Sequence, residues 1–253
     1  MRNILNEFQY ASGLKINLGK SHLFPLGPLI LNQPEYLCDF GITPSFGPIK
    51  FLGISFNHNG DKLFRLNYLQ KLSRLKSILH VWSMRDLTPI GKNIIVKSFA
   101  LSQFVFLFQV LPDPPDYFIK DVQGCIFDFI WSCNPDKVRR NTMYNSIENG
   151  GLKITHVRSF ISALKIIWVK RYRDEDDRIW KLFFDYYLRR YRGQFLFDCN
   201  FSSQDVIGIK NVFIRNVCCA WGTMNFHHPH DNFDSQILWN NSYININKTI
   251  VFL

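Results

Sequence analysis

The sequence predicts a mainly α protein with a small β element near its N-terminus. Three observations carry that expectation. Leu66, Leu69, Leu72, Leu75, Leu79 and Trp82 recur at the spacing of one helical face. Thr88-Pro89 joins an N-cap residue to a proline at the first helical position, and Pro112, Pro114 and Pro115 close the apolar stretch that follows. Before the C-terminal tail, the clearest β signal is the apolar run at 49–56, followed by Asn59-Gly60.

Taken in order, residues 2–11 place Ile4, Leu5, Phe8 and Ala11 on one helical face, with Gly13 positioned to end the helix. Residues 14–17 alternate apolar and polar and suit a short strand. Proline- and glycine-rich loops follow at 25–34 and 41–48, with room for one or two helical turns at 35–40. The run at 49–56 reads as a strand turned at Asn59-Gly60, and Gly53 within it suggests close approach of another backbone. The leucine-spaced helix comes next, then a helix from Thr88 to about Val110 and another from Asp113-Pro114 to Trp131. Residues 134–154 are irregular and turn at Gly150-Gly151. Thr155 or Ser159 caps a helix through Tyr172, with further helices expected at 177–191 and 205–221 and a strand or edge at 236–253.

With 47% hydrophobic and 20% charged residues, the 253-residue chain has ample apolar surface to bury and does not read as disordered. Its 30 Lys+Arg against 20 Asp+Glu leave a net charge of +10, which favours polyanionic partners. The first residues lack the apolar core of a signal peptide, and the six cysteines form no CxxC pair, so an intracellular, unsecreted protein in the nucleus or cytoplasm is expected. Residues 94–111 carry Lys97, Gln103 and Gln109 and fall short of the roughly 20 clean apolar residues of a bilayer span. A buried helix and no membrane partner are expected.

Phosphate-loop, dinucleotide, zincin and nucleophile-elbow motifs are missing from the sequence. The acidic run Asp174-Glu175-Asp176-Asp177 is expected to sit at the N-terminus of the helix that follows. Cys218-Cys219 with His227, His228 and His230 lacks zinc-ligand spacing, because adjacent helical cysteines point apart. Cys218 reads as core, as do Cys125 and Cys133. No metal and no catalytic residue is assigned. Lys15, Lys20, Lys71, Arg74, Lys76, Lys92, Lys97, Arg139, Arg140 and Lys153 recur at element edges and loops, where they suit phosphate contact or plain solvation.

Several phrases in order are more specific. Phe8, Ala11-Ser12-Gly13-Leu14-Lys15-Ile16-Asn17 and Lys20-Ser21 resemble the "F…SGLKIN..KS" segment after the catalytic carboxylates of LINE-type (non-LTR) retrotransposon reverse transcriptases. Phe51-Leu52-Gly53-Ile54 is similar to that family's "YLGI" primer-grip strand. Trp82, Arg85, Leu87-Thr88, Gly91-Lys92 and Lys97 resemble its "W..R.LTL.GK..IIKS" thumb helices. Phe129-Ile130-Trp131, Gly150-Gly151-Leu152-Lys153-Ile154, Ser162-Ala163-Leu164-Lys165 and Leu238-Trp239-Asn240-Asn241 with Ile244 and Ile246 continue the likeness beyond the thumb. Phe51 stands where the family has Tyr, Pro89 where it has Leu, and Asn93 where it has Arg or Ile.

The resemblance implies a residual palm with a palm-like strand and a primer-grip-like hairpin (1–62), thumb-like helices (63–112) and a helical post-thumb region (113–253). The family's catalytic aspartates are not in this sequence. The resemblance therefore implies an RNA-directed DNA polymerase fragment, inactive alone, with Mg²⁺ expected only in the complete enzyme. The expected partners are an RNA template and an RNA–DNA or DNA primer duplex. The residues expected to touch them are Lys15, Lys20, Phe51, Leu52, Gly53, Lys71, Arg74, Lys92, Lys97, Arg139 and Arg140. The alternatives are a domesticated helical protein-interaction module and a non-functional remnant.

Overall fold

The computed structural model describes residues 2–15, 17–25, 29, 44–176 and 178–224, together with the backbone of 245–246 and 249–250. The chain is mainly helical, with small two-stranded antiparallel sheets. It divides into two units, Met1–Gln70 and Lys71–Leu253. The expected turns at 35–40, Cys38 and the three tail histidines lie outside the described residues. So does most of the tail, of which β3 (Asn245–Ile246) and β4 (Thr249–Ile250) pair antiparallel.

In the first unit, α1 (Arg2–Ser12) ends at Gly13, whose φ of +69° lets its N–H return to the Gln9 carbonyl at 3.0 Å. The apolar side chains Ile4 and Phe8 of α1 stay exposed. Leu14, Lys15 and Asn17 do not form the expected strand. The Asn17 side chain instead accepts from the Lys20 N–H at 3.2 Å and caps a 3₁₀ turn, Leu18–Lys20. Local side-chain bonds of this kind compete with strand pairing.

The β signal at 49–56 is a complete hairpin in itself. β1 (Ile49–Phe51) pairs with β2 (Ile54–Phe56), joined by Leu52 and Gly53 at φ 49° and 81°. Two positive φ values in a two-residue loop make the type I′ turn that matches strand twist. A Cβ on Gly53 would meet nothing within 4 Å, so that glycine supplies backbone freedom and not the expected close approach. Asn59-Gly60 opens a helix and is not the hairpin turn. The Asn59 side chain accepts from the N–H groups of Asp61 and Lys62 at 2.8 and 3.0 Å and caps α2 (Gly60–Phe64). A π-helical turn, Arg65–Leu69, follows. From it the buried Asn67 accepts from the Ser55 N–H at 2.9 Å and donates to the Ser55 carbonyl at 2.8 Å, serving β2 as a neighbouring strand would.

The second unit opens with α3 (Gln70–Ser83), which buries Leu72, Leu75 and Leu79 as their spacing predicts; Leu66 and Leu69 remain partly exposed. In α4 (Pro89–Ile95) the Thr88 hydroxyl accepts from the Gly91 N–H at 3.2 Å. A π-helical stretch (Val96–Leu101) and a 3₁₀ turn (Ser102–Phe104) carry the helix into α5 (Val105–Val110). Pro89–Val110 is long and apolar enough to cross a bilayer by length and composition alone. Its Val96, Ala100, Leu101, Phe104, Leu107 and Phe108 are buried within the chain.

α6 (Asp116–Ile130) packs Phe118, Val122, Ile126 and Phe127 into the same core. Short α7 (Arg140–Tyr144) leads to the loop that binds Leu152 and Ile154 N–H groups to the Met143 carbonyl at 3.2 and 3.0 Å. α8 (Val157–Arg173) is capped by His156, between the two expected residues. α9 (Lys181–Leu188) starts later than expected, and so does α10 (Val212–Gly222), capped by Asn211. Asp205 does not start that helix, because its carboxylate is taken by the Ser202 N–H and hydroxyl at 2.7 and 2.9 Å. α8, α9 and α10 share an aromatic core that includes Tyr172, Phe184, Phe197 and Cys218.

Candidate nucleic-acid interface

In the first unit the chemistry is concentrated at the hairpin tip. Ile54 is buried, whereas Phe51 and Leu52 are 62% and 73% exposed. Leu52 also holds a left-handed backbone that costs a branched residue about 1 kcal/mol. Neither the exposure nor the strain helps the fold. Gly53, Lys15, Lys20 and Lys50 are exposed as well.

In the second unit, α3 presents Arg74 to solvent and leaves Lys71 half-buried. Lys76 on the same helix pairs with Asp121 of α6 at 3.2 Å. Lys92 does not face solvent, and the structure corrects the expectation that it offers a charge to phosphate. It is only 7% exposed, and its ammonium donates to the Ser132 hydroxyl at 2.6 Å and the Ile130 carbonyl at 3.3 Å. Ile130 ends α6, so Lys92 neutralises the negative end of that helix. Beyond it the chain reverses through Ser132 and Cys133 at φ 53° and 60°. Cys133 is exposed and Cys125 half-buried, so neither is the core residue expected.

Lys97 is exposed, one turn past the buried Asn93. The Asn93 amide donates to the Leu152 carbonyl at 2.7 Å, pinning the loop after α7 to α4. The next residue, Lys153, has φ 53° and is exposed. The Lys97 ammonium is held below its usual range, first by partial burial and then by the positive charge of Lys153. Neither lysine forms an ion pair with a described carboxylate. Arg139 is exposed; Arg140 pairs with Asp136 at 2.7 Å and covers the Phe127 ring at 4.5 Å. Lys153 was visible in the sequence only as one basic residue among many, because its nearness to Lys97 depends on the fold.

The loop carrying Lys153 is tightly built. Gly150 takes φ 73°, and a Cβ on Gly151 would lie 2.2 Å from the Asn145 carbonyl oxygen. The Gly-Gly turn thus needs one glycine for backbone freedom and the other for space.

The described part of the acidic run stops short of α9, whose first turn has no acidic residue. Instead Asp176 pairs with Arg178 and Lys181, Lys181 also donates to the Asp174 carbonyl, and Asp177 lies outside the described residues. Among the described residues no three His, Cys, Asp or Glu side chains converge to hold a metal.

Among the described residues, the buried cations Lys165 and Lys181 were not singled out from the sequence. Lys165 of α8 is fully buried, donates to the Leu111 carbonyl, lies 3.6 Å from Asp113 and sits 4.4 Å from the Phe213 ring centre. Burial pushes its titration down to about 8, against the pull of Asp113. The signal was its place on the face of Ile161, Leu164, Trp168 and Val169.

No protein-family model matches the chain.

Proposed function

We propose that this chain is the late-palm, thumb and post-thumb part of a LINE-type reverse transcriptase, binding template–primer nucleic acid without polymerase chemistry of its own. The observation that carries the reading is the hairpin at 49–56. The stretch that resembles the family's primer grip is a tight two-residue turn with Phe51 and Leu52 held out to solvent at a backbone cost. In this reading β1 and β2 are the primer grip, α3 to α5 the thumb, and α6 to α10 the post-thumb region. Arg74, Lys97 and Arg139 supply sequence-independent phosphate contacts, alongside Lys15 and Lys20 of the first unit. The exposed Ile4 and Phe8 of α1 suit a helix that packs on further palm surface.

A second reading, a protein-interaction module, is favoured by α9, whose Leu182, Phe183 and Tyr186 are exposed together. The test places a benzophenone amino acid at position 51 and irradiates the chain with a labelled RNA–DNA hybrid. The account expects a crosslink to the DNA strand that unlabelled hybrid competes away. Binding of the hybrid with no crosslink at position 51, while one forms from position 183, would overturn the assignment of the hairpin.

A further inference from the structure

We propose that Lys97 and Lys153 form a two-point clamp for a phosphate group of a polynucleotide backbone, built where the Asn93–Leu152 hydrogen bond brings the loop after α7 onto α4. This rests on the nucleic-acid reading and names the part of the surface that grips the backbone.

Two unfavourable features meet at this one place. Lys153 adopts a left-handed backbone at φ 53°, where lysine has no intrinsic preference, and like strain elsewhere tends to mark functional positions. Its charge lies close enough to Lys97 to disfavour protonation there, with no described carboxylate paired to either lysine. Ordinary surface lysines spread apart or pair with acids, as Lys76 does with Asp121. The arrangement is also rigid. Asn93 is buried and bonded to Leu152, and Gly151 leaves no space between the loop and the Asn145 backbone. Two lysines anchored on one rigid backbone base need little backbone ordering when a phosphate enters between them, and the anion removes their mutual repulsion. Lysine reads a phosphate as a point charge, so the clamp carries no base specificity.

The experiment compares the wild-type chain with K97Q, K153Q, the double variant and the control K210Q. The first arm measures binding to a labelled RNA–DNA hybrid across a salt series. The second follows the titration of the Lys97 side chain by NMR, with and without inorganic pyrophosphate. The expected result is a several-fold loss of hybrid affinity in each single variant. The slope of log affinity against log salt becomes shallower by about one for each lysine removed, and K210Q departs less. The Lys97 titration rises towards its ordinary range in K153Q and on adding pyrophosphate to the wild type.

Hybrid affinity and slope unchanged in the double variant would overturn the clamp. So would a Lys97 titration indifferent to both K153Q and pyrophosphate. If the wild type binds no hybrid yet pyrophosphate binds through both lysines, the clamp stands as a phosphate site and the nucleic-acid reading fails alone.

Discussion

Asp113→Asn should cost this protein much of its stability, and the cost should shrink in alkali. Asp113 lies 3.6 Å from the ammonium of the fully buried Lys165, and its N–H donates to Asn216 of α10 at 3.1 Å. The pair therefore joins the end of α5 to α8 and α10. At that distance two unit charges attract by about 5 kcal/mol for an effective dielectric constant of about 20. Partial exposure of the carboxylate trims this, which leaves an expected loss of about 3 kcal/mol when Lys165 stays charged and unpaired.

The pH dependence follows from Lys165, whose folded titration is already pushed down to about 8 by burial, below the ordinary 10.5. Its charge opposes folding below that value, and the opposition is relieved as pH rises from about 8 towards 10.5. In D113N the folded titration falls further, so the gap to wild type narrows at about pH 9.5. Urea denaturation followed by far-UV circular dichroism, at neutral and alkaline pH, measures both effects. Adding K165M to D113N should restore most of the loss, since a buried ion pair replaced by apolar and neutral groups is near neutral in stability. A D113N loss below about 1 kcal/mol, or a double variant no more stable than D113N, would refute the reasoning.

Two further predictions concern turns. Gly151→Ala should lower stability by about 3 kcal/mol by pressing a methyl on the Asn145 carbonyl, whereas Gly150→Ala should cost only about 1 kcal/mol for its left-handed backbone; thermal unfolding of the two variants ranks them, and equal losses contradict the packing described. Leu52→Asn should raise stability by about 0.5 to 1 kcal/mol, because Asn-Gly is the preferred pair for a type I′ turn, while weakening hybrid binding; a destabilised variant would mean that Leu52 packs in the fold.

The helices that depend on spacing were legible in the sequence. Leu72, Leu75 and Leu79 face the core, Thr88-Pro89 starts α4, and the chain leaves helix at Leu111, just before Pro112. The hairpin turn was misplaced because Asn59-Gly60 is the stronger turn signal, and nothing marks a leucine as left-handed until its neighbours pair as strands. Asn59 and Asp205 show the same ambiguity, since one short polar side chain can cap a helix or close a local turn. Lys92 reads as a surface lysine until the end of α6 is seen beside it, an encounter between residues far apart in sequence. The Lys97–Lys153 pairing was hidden for the same reason. Lys165, by contrast, stood among Ile161, Leu164 and Trp168 at core-facing intervals and could have been read.

The most direct test of the central claim is the affinity of the purified chain for an RNA–DNA hybrid as salt is raised. The account predicts binding on the micromolar scale at low salt, falling linearly in log–log form as backbone contacts are lost. A folded, monomeric chain that fails to bind at low salt, or binds with an affinity indifferent to salt, would contradict it.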